Sequence, residues 1–295
     1  MEADPDRDVY FSTGDIKDCF YHLGVPPGLE HWFSLPGIRA KLLPWCPEAR
    51  NLPSDTWMVP LLNVLPMGWS WSLHLAQRSH ETVGVRSGLS PSLRLVDKHS
   101  GVPLTTGGCR SAVYVDNFLI IGQDRDKVQE AERGHREKLE ELGLPVHEST
   151  DGATDVDYVG LHFDGKNHEI RLSWNRLWRL RLGIKHIATL PRVSGTQLEK
   201  LVGHITWALL LRRECLSILS SVYVFIKRFY QEPALIWPSV RRELEQVAAL
   251  LPLVVSNFGL RWDPVVLASD ASDFGYGVMQ QDVGSEIVGS WGAHL

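Results

Sequence analysis

The feature that most constrains this chain is a short polar interruption between two runs of apolar, β-prone residues. Ala112-Val113 precede the interruption, Phe118 to Ile121 follow it, and Tyr114-Val115-Asp116-Asn117 lies between them. Two such runs joined by a two-residue turn predict a β-hairpin with the Asp116 carboxylate at its tip. A turn aspartate alone is usually structural, because its short side chain bonds the nearby backbone. A chemical role therefore requires a second acidic group from another part of the chain.

That second group is Asp15, which closes another β-prone run and begins Asp15-Ile16-Lys17-Asp18-Cys19-Phe20-Tyr21. Two strand-end carboxylates suit two-metal phosphoryl transfer, because Mg²⁺ takes one or two protein carboxylates and completes its octahedron with water and phosphate oxygens. We therefore expect Asp15 and Asp116 to converge at one end of a central antiparallel sheet. By themselves, Asp15 and Asp18 would be better explained by a solvated turn.

Composition narrows the class of protein. The chain has 295 residues, of which 44% are hydrophobic and 22% charged, and this balance is typical of folded globular domains. Its four cysteines form no Cys-x-x-Cys pair and no cluster with histidine at zinc spacing, so neither a disulfide framework nor structural zinc is predicted. The net charge of -5 argues against a nucleic-acid binder that uses its whole surface.

No segment of the sequence predicts a membrane anchor. The first residues are acidic and lack an apolar leader, and the longest apolar stretch, Leu216 to Ile226, is too short and too rich in serine to cross a bilayer. We therefore expect a soluble intracellular protein, cytoplasmic or nuclear, with no membrane partner. The sequence does not predict an oligomeric state.

The apolar pattern divides the chain into three segments. Residues 1–165 alternate β-prone runs with helical stretches, as an α+β domain does. Within them, Gly84 to Gly108 predicts an exposed loop, and Gln123 to Leu142 predicts a charged helix. Residues 166–258 are predominantly helical, and residues 259–295 return to β-prone runs.

Local signals predict where helices begin and which faces they bury. Ser173 is expected to cap a helix, and Ser194 with Gln197 forms a capping-box signature before the next helix. The helix after Ser173 has an apolar stripe at three- and four-residue spacing: Leu177, Leu180, Ile184 and Ile187. The expected buried face of the earlier charged helix is Val128, Ala131, Leu139 and Leu142.

In order and context, these motifs resemble those of retroelement reverse transcriptases. Asp15 to Tyr21 resembles the first metal-binding motif, Leu65-Pro66-Met67-Gly68-Trp69-Ser70 the nucleotide-positioning Leu-Pro-x-Gly motif, and Tyr114 to Asn117 the Tyr-x-Asp-Asp hairpin. Gly143 to Val146 and Tyr158 to Leu161 fall where the family has a later palm segment and the primer grip. The resemblance covers most of residues 9–165.

The resemblance implies an α+β fold and a function. Residues 1–165 would be a polymerase palm with an antiparallel sheet and largely missing fingers, residues 166–258 a helical thumb or connection, and residues 259–295 a truncated ribonuclease H-like β segment. The implied activity is RNA-directed DNA synthesis for a retrotransposon-like element. Its cofactor would be Mg²⁺, two ions, with Mn²⁺ as a substitute. Its partners would be an RNA or DNA template with primer, and deoxynucleoside triphosphates.

Carried over residue by residue, the resemblance makes Asp15 and Asp116 metal ligands and puts Asn117 in the remaining catalytic position. The implied nucleotide-binding residues are Asp18, Cys19, Phe20, Met67 and Gly68. Phe20 falls where a bulky aromatic residue excludes a ribose 2′-OH, although a core aromatic residue is the alternative. Gly68 would let the chain approach the nucleotide, although Gly68-Trp69 also suits an ordinary turn.

The sequence departs from the family pattern at three places. Asn117 replaces the usual second aspartate, and a neutral carbonyl attracts Mg²⁺ less than a carboxylate does. His147 and Glu148 lie where a lysine often follows the palm helix, so a general acid is missing or is replaced by His147. Almost nothing precedes Asp15, so basic fingers are expected to be absent. These departures favour the alternative of a decayed, non-catalytic nucleic-acid-binding fragment, whereas Phe20 argues against an RNA-dependent RNA polymerase.

Two further patterns take their interpretation from the same resemblance. No acidic residue lies between positions 171 and 192, and the family places its thumb there. The residues expected to track the nucleic-acid backbone are Arg176, Arg179, Arg181 and Lys185, with a solvated basic face as the alternative. Leu267 to Gly277 resembles the first strand and turn of ribonuclease H, with Asp270 at its first metal-binding position. Because one aspartate cannot hold two metals, Asp270 alone is not expected to cleave hybrids.

Overall fold

The computed structural model describes residues 2–97, 99, 102–260, 265–272, 274–282 and 288–293. The strands are β1 (Tyr10–Ile16), β2 (Ile38–Arg39), β3 (Trp57–Met58), β4 (Arg110–Tyr114), β5 (Asn117–Gly122), β6 (Val146–Ala153), β7 (Asp155–Tyr158), β8 (Leu161–Asp164), β9 (Glu169–Leu172), β10 (Arg192–Val193), β11 (Ala234–Leu235), β12 (Val255–Asn257), β13 (Val265–Ser272), β14 (Gly275–Asp282) and β15 (Val288–Ala293). The α-helices are α1 (Cys19–His22), α2 (Pro47–Arg50), α3 (Ser70–Arg86), α4 (Arg125–Glu141), α5 (Trp174–Thr189), α6 (Gly195–Leu209), α7 (Ser220–Arg228) and α8 (Pro238–Leu250).

A four-stranded central sheet, in the order β4-β5-β1-β6, holds the predicted hairpin. All its strand pairs are antiparallel, and the hairpin turn is Val115-Asp116. Phe118 and Ile120 of β5 pack toward α3 and α4, whereas Leu119 and Ile121 pack toward β7 and β8. Because successive side chains of a strand face opposite sides, a strand covered on both sides must be apolar throughout. This burial explains the continuous apolar run in the sequence.

A second antiparallel sheet, in the order β12-β9-β8-β7, lies beside the first. The expected boundary near residue 165 falls between β8 and β9, within this sheet, so strands from both expected segments share it. The helices between Leu172 and Val255 leave the sheet after β9 and return to it at β12, where Val255 pairs with Arg171. We call residues 173–254 the helical unit.

The helical unit has its own core, to which α5, α6, α7 and α8 all contribute. Leu177 and Ile184 of the predicted stripe are buried, and Leu180 and Ile187 pack against the same core. The capping box is confirmed, since the Ser194 side chain accepts from the Gln197 backbone and the Gln197 side chain accepts from the Ser194 backbone. Ser173 is the N-cap residue of α5 by position, but its side chain makes no capping hydrogen bond.

Two local predictions hold only in part. The stretch expected to be an exposed loop begins within α3, and its described residues beyond Arg86 are exposed or partly buried except Leu104, which is buried. Its carbonyl groups are held by the buried guanidinium of Arg110, which donates to Val102, Pro103, Gly107 and Gly108. On α4, Leu142 lies just beyond the helix and is exposed, whereas Glu132 and His135 are buried.

The last described strands form the predicted new sheet, in the antiparallel order β13-β14-β15. Within it, Asp270 of β13 pairs with Gly277 of β14. Part of the β-prone segment expected over residues 259–295 lies outside the described residues. Among the helices that the structure describes, none is both long and apolar enough to cross a bilayer.

Candidate active site

The two aspartates predicted to converge lie at one end of the central sheet, Asp15 in β1 and Asp116 in the turn between β4 and β5. Asp15 pairs with Asn117 across β1 and β5, and the Ile16 backbone N–H donates to the Asp116 carbonyl at 2.9 Å. Both aspartates are half-buried. The β-hairpin therefore presents Asp116 beside the end of β1, where Asp15 is found.

The electrostatics of Asp15 reflect this proximity. Its pKa is raised above the ordinary value, first by burial and then by the negative charge of Asp116. His147 of β6 opposes the shift, with its Nδ1 atom 3.4 Å from an Asp15 carboxylate oxygen. Two carboxylates this close together form a site of concentrated negative charge, which a cation would relieve.

The side chain of Asn117 interacts with both carboxylates through hydrogen bonds. Its side-chain Nδ2 donates to an Asp116 carboxylate oxygen at 2.9 Å, and a hydrogen bond from Asn117 lowers the pKa of Asp15. The amide N–H groups thus offset part of the repulsion between Asp15 and Asp116. To act as a metal ligand, Asn117 would have to present its carbonyl oxygen instead.

The motif that follows Asp15 turns back toward the same place. Asp18 adopts left-handed geometry, with φ 53°, and precedes the short helix α1. Aspartate tolerates this geometry better than most residues. Cys19 is buried, and burial together with the charges of Asp116 and Asp15 raises its pKa to about 11. The thiol is therefore neutral at physiological pH.

One hydrophobic cluster joins all three sequence motifs. Leu65, Ala76 and Val115 are buried in it, and Phe20 and Trp69 pack against it. Phe20 is thus partly a core aromatic residue, the alternative that the sequence left open. Gly68 has φ +100°, which favours glycine, and no atom outside its chain neighbours lies within 4 Å of where a Cβ would sit. Met67 beside it is 68% exposed.

Side chains of α3 form hydrogen bonds with the backbone of the hairpin turn. Val115 has φ 58°, an unfavourable value for a β-branched residue. Its N–H donates to the Gln77 side-chain oxygen at 2.8 Å, and its carbonyl lies 2.8 Å from His80 Nδ1. Gln77 also donates to the Val113 carbonyl at 3.0 Å. Both polar backbone groups of the strained residue are therefore bonded to side chains of one helix.

The sequence prediction missed Gln77 and His80. The sequence gives only a weak indication of their role: they are polar residues three positions apart on one face of α3, after the Leu65 to Ser70 motif. Nothing local indicates that this face meets a turn formed by Val115. His135, which bonds to His80, was likewise missed because it interrupts the apolar face of α4.

The basic residues of α5 are not equivalent. Arg176 lies over the Trp207 ring, 4.4 Å from its centroid, and packs against the Gly160 backbone. Arg181 donates to the Ala248 carbonyl at the end of α8 and lies over Trp178. Arg179 and Lys185 are exposed. Two of the four predicted contacts thus have intramolecular roles, and Arg179 and Lys185 remain available at the surface.

Metal-binding capacity in the described part of the chain is confined to small groups of ligands. No three or more histidine, cysteine, aspartate or glutamate side chains come together there in a way that could hold an ion. Asp15 and Asp116 nevertheless supply the one or two carboxylates that Mg²⁺ usually takes from protein. The donor set therefore fits a magnesium site completed by water and phosphate oxygens, but not an all-protein cage.

No protein-family model and no curated protein matches the sequence. Solved structures of a foamy viral protease-reverse transcriptase do resemble the fold. The dRH form in complex with double-stranded DNA is 15% identical, with a TM-score of 0.60 over 98% of this chain and 43% of that chain. The complex with an RNA/DNA hybrid is 15% identical, with a TM-score of 0.58 over 97% of this chain and 33% of that chain. A complex with double-stranded DNA is 16% identical, with a TM-score of 0.55 over 97% of this chain and 51% of that chain.

These comparisons give the fold. The chain has a reverse-transcriptase-like fold of helices and antiparallel sheets, and it spans about a third to a half of the length of the solved chains it resembles. The sequence prediction of an α+β fold of this kind is confirmed at that level.

Proposed function

We propose that this chain is the polymerase core of a retrotransposon-like element and joins deoxynucleotides to a primer on an RNA or DNA template. Residues 1–165 would be its palm, the helical unit its thumb, and the strands from Val265 onward the start of a ribonuclease H-like segment. The observation that carries the proposal is that Asp15, Asp116 and the Leu65 to Ser70 motif all lie around one hairpin.

The site supports metal-dependent chemistry through its charge. Asp15 and Asp116 would hold two Mg²⁺ ions, or Mn²⁺, with Asn117 beside them. The raised pKa of Asp15 reflects burial first and then repulsion by Asp116, and a cation would relieve that repulsion. When bound, the ions would activate the primer hydroxyl and stabilise charge on the reacting phosphate. His147, next to Asp15, is the chain's own candidate for holding a proton near the site.

Nucleotide binding would use the residues around this hairpin. The exposed Met67 and Gly68 offer a surface on which a base and sugar can lie, and the backbone at Asp18 and Cys19 opens toward the same end of the sheet. Phe20, held in the shared cluster, would exclude a ribose 2′-OH by its bulk and so favour deoxynucleotides.

Nucleic-acid binding would use the helical unit. Arg179 and Lys185 are exposed cations of α5, and phosphate neutralisation by such residues gives affinity without sequence specificity. Arg176 and Arg181 would instead shape the helix surface, because they are engaged with Trp207 and Ala248. The similar foamy viral structures contain double-stranded DNA or an RNA/DNA hybrid, which suits this proposal.

Asp270 extends the proposal to the last segment. It lies in the first strand of the antiparallel sheet β13-β14-β15, as expected for the first carboxylate of a ribonuclease H-like fold. Hybrid cleavage needs further carboxylates, so we do not assign that activity to Asp270 alone.

The decisive experiment is primer extension by the purified chain with Mg²⁺, deoxynucleotides and a labelled primer on RNA. We expect extension that is lost in Asp15→Asn and in Asp116→Asn and kept in Asp155→Asn, a control at an exposed position of β7. Binding of the primer–template should survive in all three variants. Extension that persists in Asp116→Asn would contradict the proposal.

A second candidate function is binding of nucleic acid without catalysis. Asn117 favours it, because the neutral side chain leaves only two carboxylates at the hairpin. A folded chain that binds primer–template but extends no primer, even after Asn117→Asp, would support this candidate.

A further inference from the structure

Two histidines that have no part in the proposed chemistry lie buried behind the hairpin turn. His80 projects from α3 and is 1% exposed, and His135 projects from α4 and is 0% exposed. Their Nε2 atoms are 3.1 Å apart, and the two rings are parallel within 4°. Phe118 of β5 packs edge-on against both rings. A buried contact between two ring nitrogens requires that one donate and the other accept.

The direction of that hydrogen bond follows from the hairpin. The Val115 carbonyl can only accept, so His80 Nδ1, at 2.8 Å, carries a proton. In a neutral ring His80 Nε2 then accepts, and His135 Nε2 must donate to it. His135 Nδ1 is then the unprotonated nitrogen; the Ser87 hydroxyl lies 3.0 Å from it but donates its single proton to the Gly84 carbonyl at 2.8 Å. A directed chain of bonds thus runs from His135 through His80 to the turn.

The environment keeps both rings neutral. Burial lowers the pKa of His80 and lowers the pKa of His135 to about 3, with the charge of His80 adding to the second shift. The acidic groups that act on His80 are Asp116 and Glu81, and they oppose burial without overcoming it. On α4, Glu132 is paired with Arg136 at 3.0 Å.

The chain of hydrogen bonds ends at Val115, whose backbone conformation is strained. Val115 has φ 58°, and such geometry in a β-branched residue persists only when its surroundings hold it. Asp116 follows directly, and its carbonyl accepts from the Ile16 N–H at the end of β1. A change at the Val115 carbonyl would therefore alter both the direction of Asp116 and the join between the hairpin and β1.

We propose that His80, oriented by His135, is a positioning residue that holds the Val115-Asp116 turn and thereby sets where the Asp116 carboxylate points. Neither histidine touches substrate or metal in this assignment. The use made of the Asp116 carboxylate rests on the proposed function, whereas the support of the turn does not.

Four variants of the full chain separate the parts of this proposal. His80→Phe keeps an aromatic ring but removes the donor to Val115. His80→Asn keeps a donor at the position of Nδ1 and loses the contact with His135. His135→Leu removes only the second ring. His204→Phe changes an exposed histidine of α6 and serves as the control.

Two measurements need no polymerase activity. In the unaltered chain, ¹⁵N NMR of histidine should give the Nδ1–H tautomer for His80 and the Nε2–H tautomer for His135. Hydrogen exchange of the Ile16 amide should quicken by about tenfold or more in His80→Phe, less in His135→Leu, and little in His80→Asn or His204→Phe. A third measurement is the affinity for Mn²⁺ alone, which should fall by about tenfold in His80→Phe and recover in His80→Asn.

The outcomes distinguish this inference from the proposed function. An Nε2–H tautomer for His80, or unchanged Ile16 exchange in a folded His80→Phe, would overturn the positioning role. If His80→Phe does not fold, the tautomers of the unaltered chain and the exchange rate in His135→Leu decide the matter. A chain with the expected tautomers and exchange rates, but with no Mn²⁺ binding and no primer extension, would support the positioning role and contradict the polymerase.

Discussion

Asp15 lies directly opposite Asn117 in the pairing of β1 with β5, and the amide of Asn117 donates to Asp116 at 2.9 Å. A neutral donor thus serves the two carboxylates that would otherwise only repel one another. The same arrangement limits metal binding, because the amide presents N–H groups where a third carboxylate would present oxygen. Asn117 therefore stabilises the metal-free site at the expense of its affinity for a cation.

Asn117→Asp should reverse both effects. In metal-free buffer we expect the free energy of unfolding to fall by about 1 kcal/mol, because the variant loses a donor and gains a like charge. Mg²⁺ should raise the melting temperature of the variant more than that of the unaltered chain, and primer extension should increase or appear for the first time. Asn175→Asp, at an exposed position of α5, is the matched control. Equal responses to Mg²⁺ in all three proteins would contradict this prediction.

Asp15→Asn should stabilise the metal-free fold while removing the proposed activity. Its pKa is raised in the folded state by burial and by Asp116, so ionisation of Asp15 opposes folding above its ordinary pKa. We expect the variant to gain less than about 1 kcal/mol at pH 7, a gain that shrinks as the pH falls through the raised pKa and Asp15 becomes protonated. Urea denaturation at pH 7 and pH 4 measures the difference, with Asp155→Asn as the control. A loss of stability at pH 7 would count against mutual repulsion.

Charge reversal at Arg179 and Lys185 should weaken primer–template binding and reduce its salt dependence. Each lost phosphate contact lowers the slope of log affinity against log salt by about 0.9. Arg242→Glu, at an exposed position of α8, carries the same type of charge change and should leave the slope unchanged. Binding measured between low and moderate salt tests this, and an unaltered slope in the double variant would mean that the basic face is merely solvated.

Because of the buried histidine pair, the free energy of unfolding should decrease as the pH is lowered. Because burial lowers the pKa of both rings, the folded state binds fewer protons than the unfolded state. Their contribution is full above the ordinary pKa of 6.5 and is lost as the pH falls toward the lowered value, which for His135 is about 3. The loss is at most about 1.4 kcal/mol per pH unit for each ring. In urea denaturation from pH 7.5 to pH 5, His135→Leu should show a shallower dependence, and an identical slope would contradict it.

Local sequence patterns predicted the elements well. The two apolar runs around Asp116 predicted the hairpin because a strand buried on both faces must be apolar, and Ser194 with Gln197 predicted the start of α6 because their capping bonds are formed within four residues. The order of the motifs predicted the reverse-transcriptase-like fold. These signals depend on neighbours in sequence, which a reader of the sequence can see.

Contacts between distant segments were not predictable in the same way. Leu142 fits the apolar period of α4 yet is exposed, whereas His135 puts a polar ring on the same face yet is buried. The reason lies in His80, whose Nε2 atom is hydrogen-bonded to Nε2 of His135 across 55 residues of sequence. Arg110 is likewise buried, because its guanidinium donates to the carbonyl groups of Val102 and Gly107. A polar residue can be buried where it has hydrogen-bonding partners, and the fold determines which residues become those partners.

The helical unit leaves the second sheet after β9 and rejoins it at β12, with Val255 paired to Arg171. Its two ends are therefore tethered at adjoining backbone positions. A segment tethered in this way can be exchanged for one of another length at little cost in loop closure, because the distance its ends must span is already set by the sheet. We expect that excising the helical unit and bridging β9 to β12 with a short linker leaves the pairing of β1 with β5 intact.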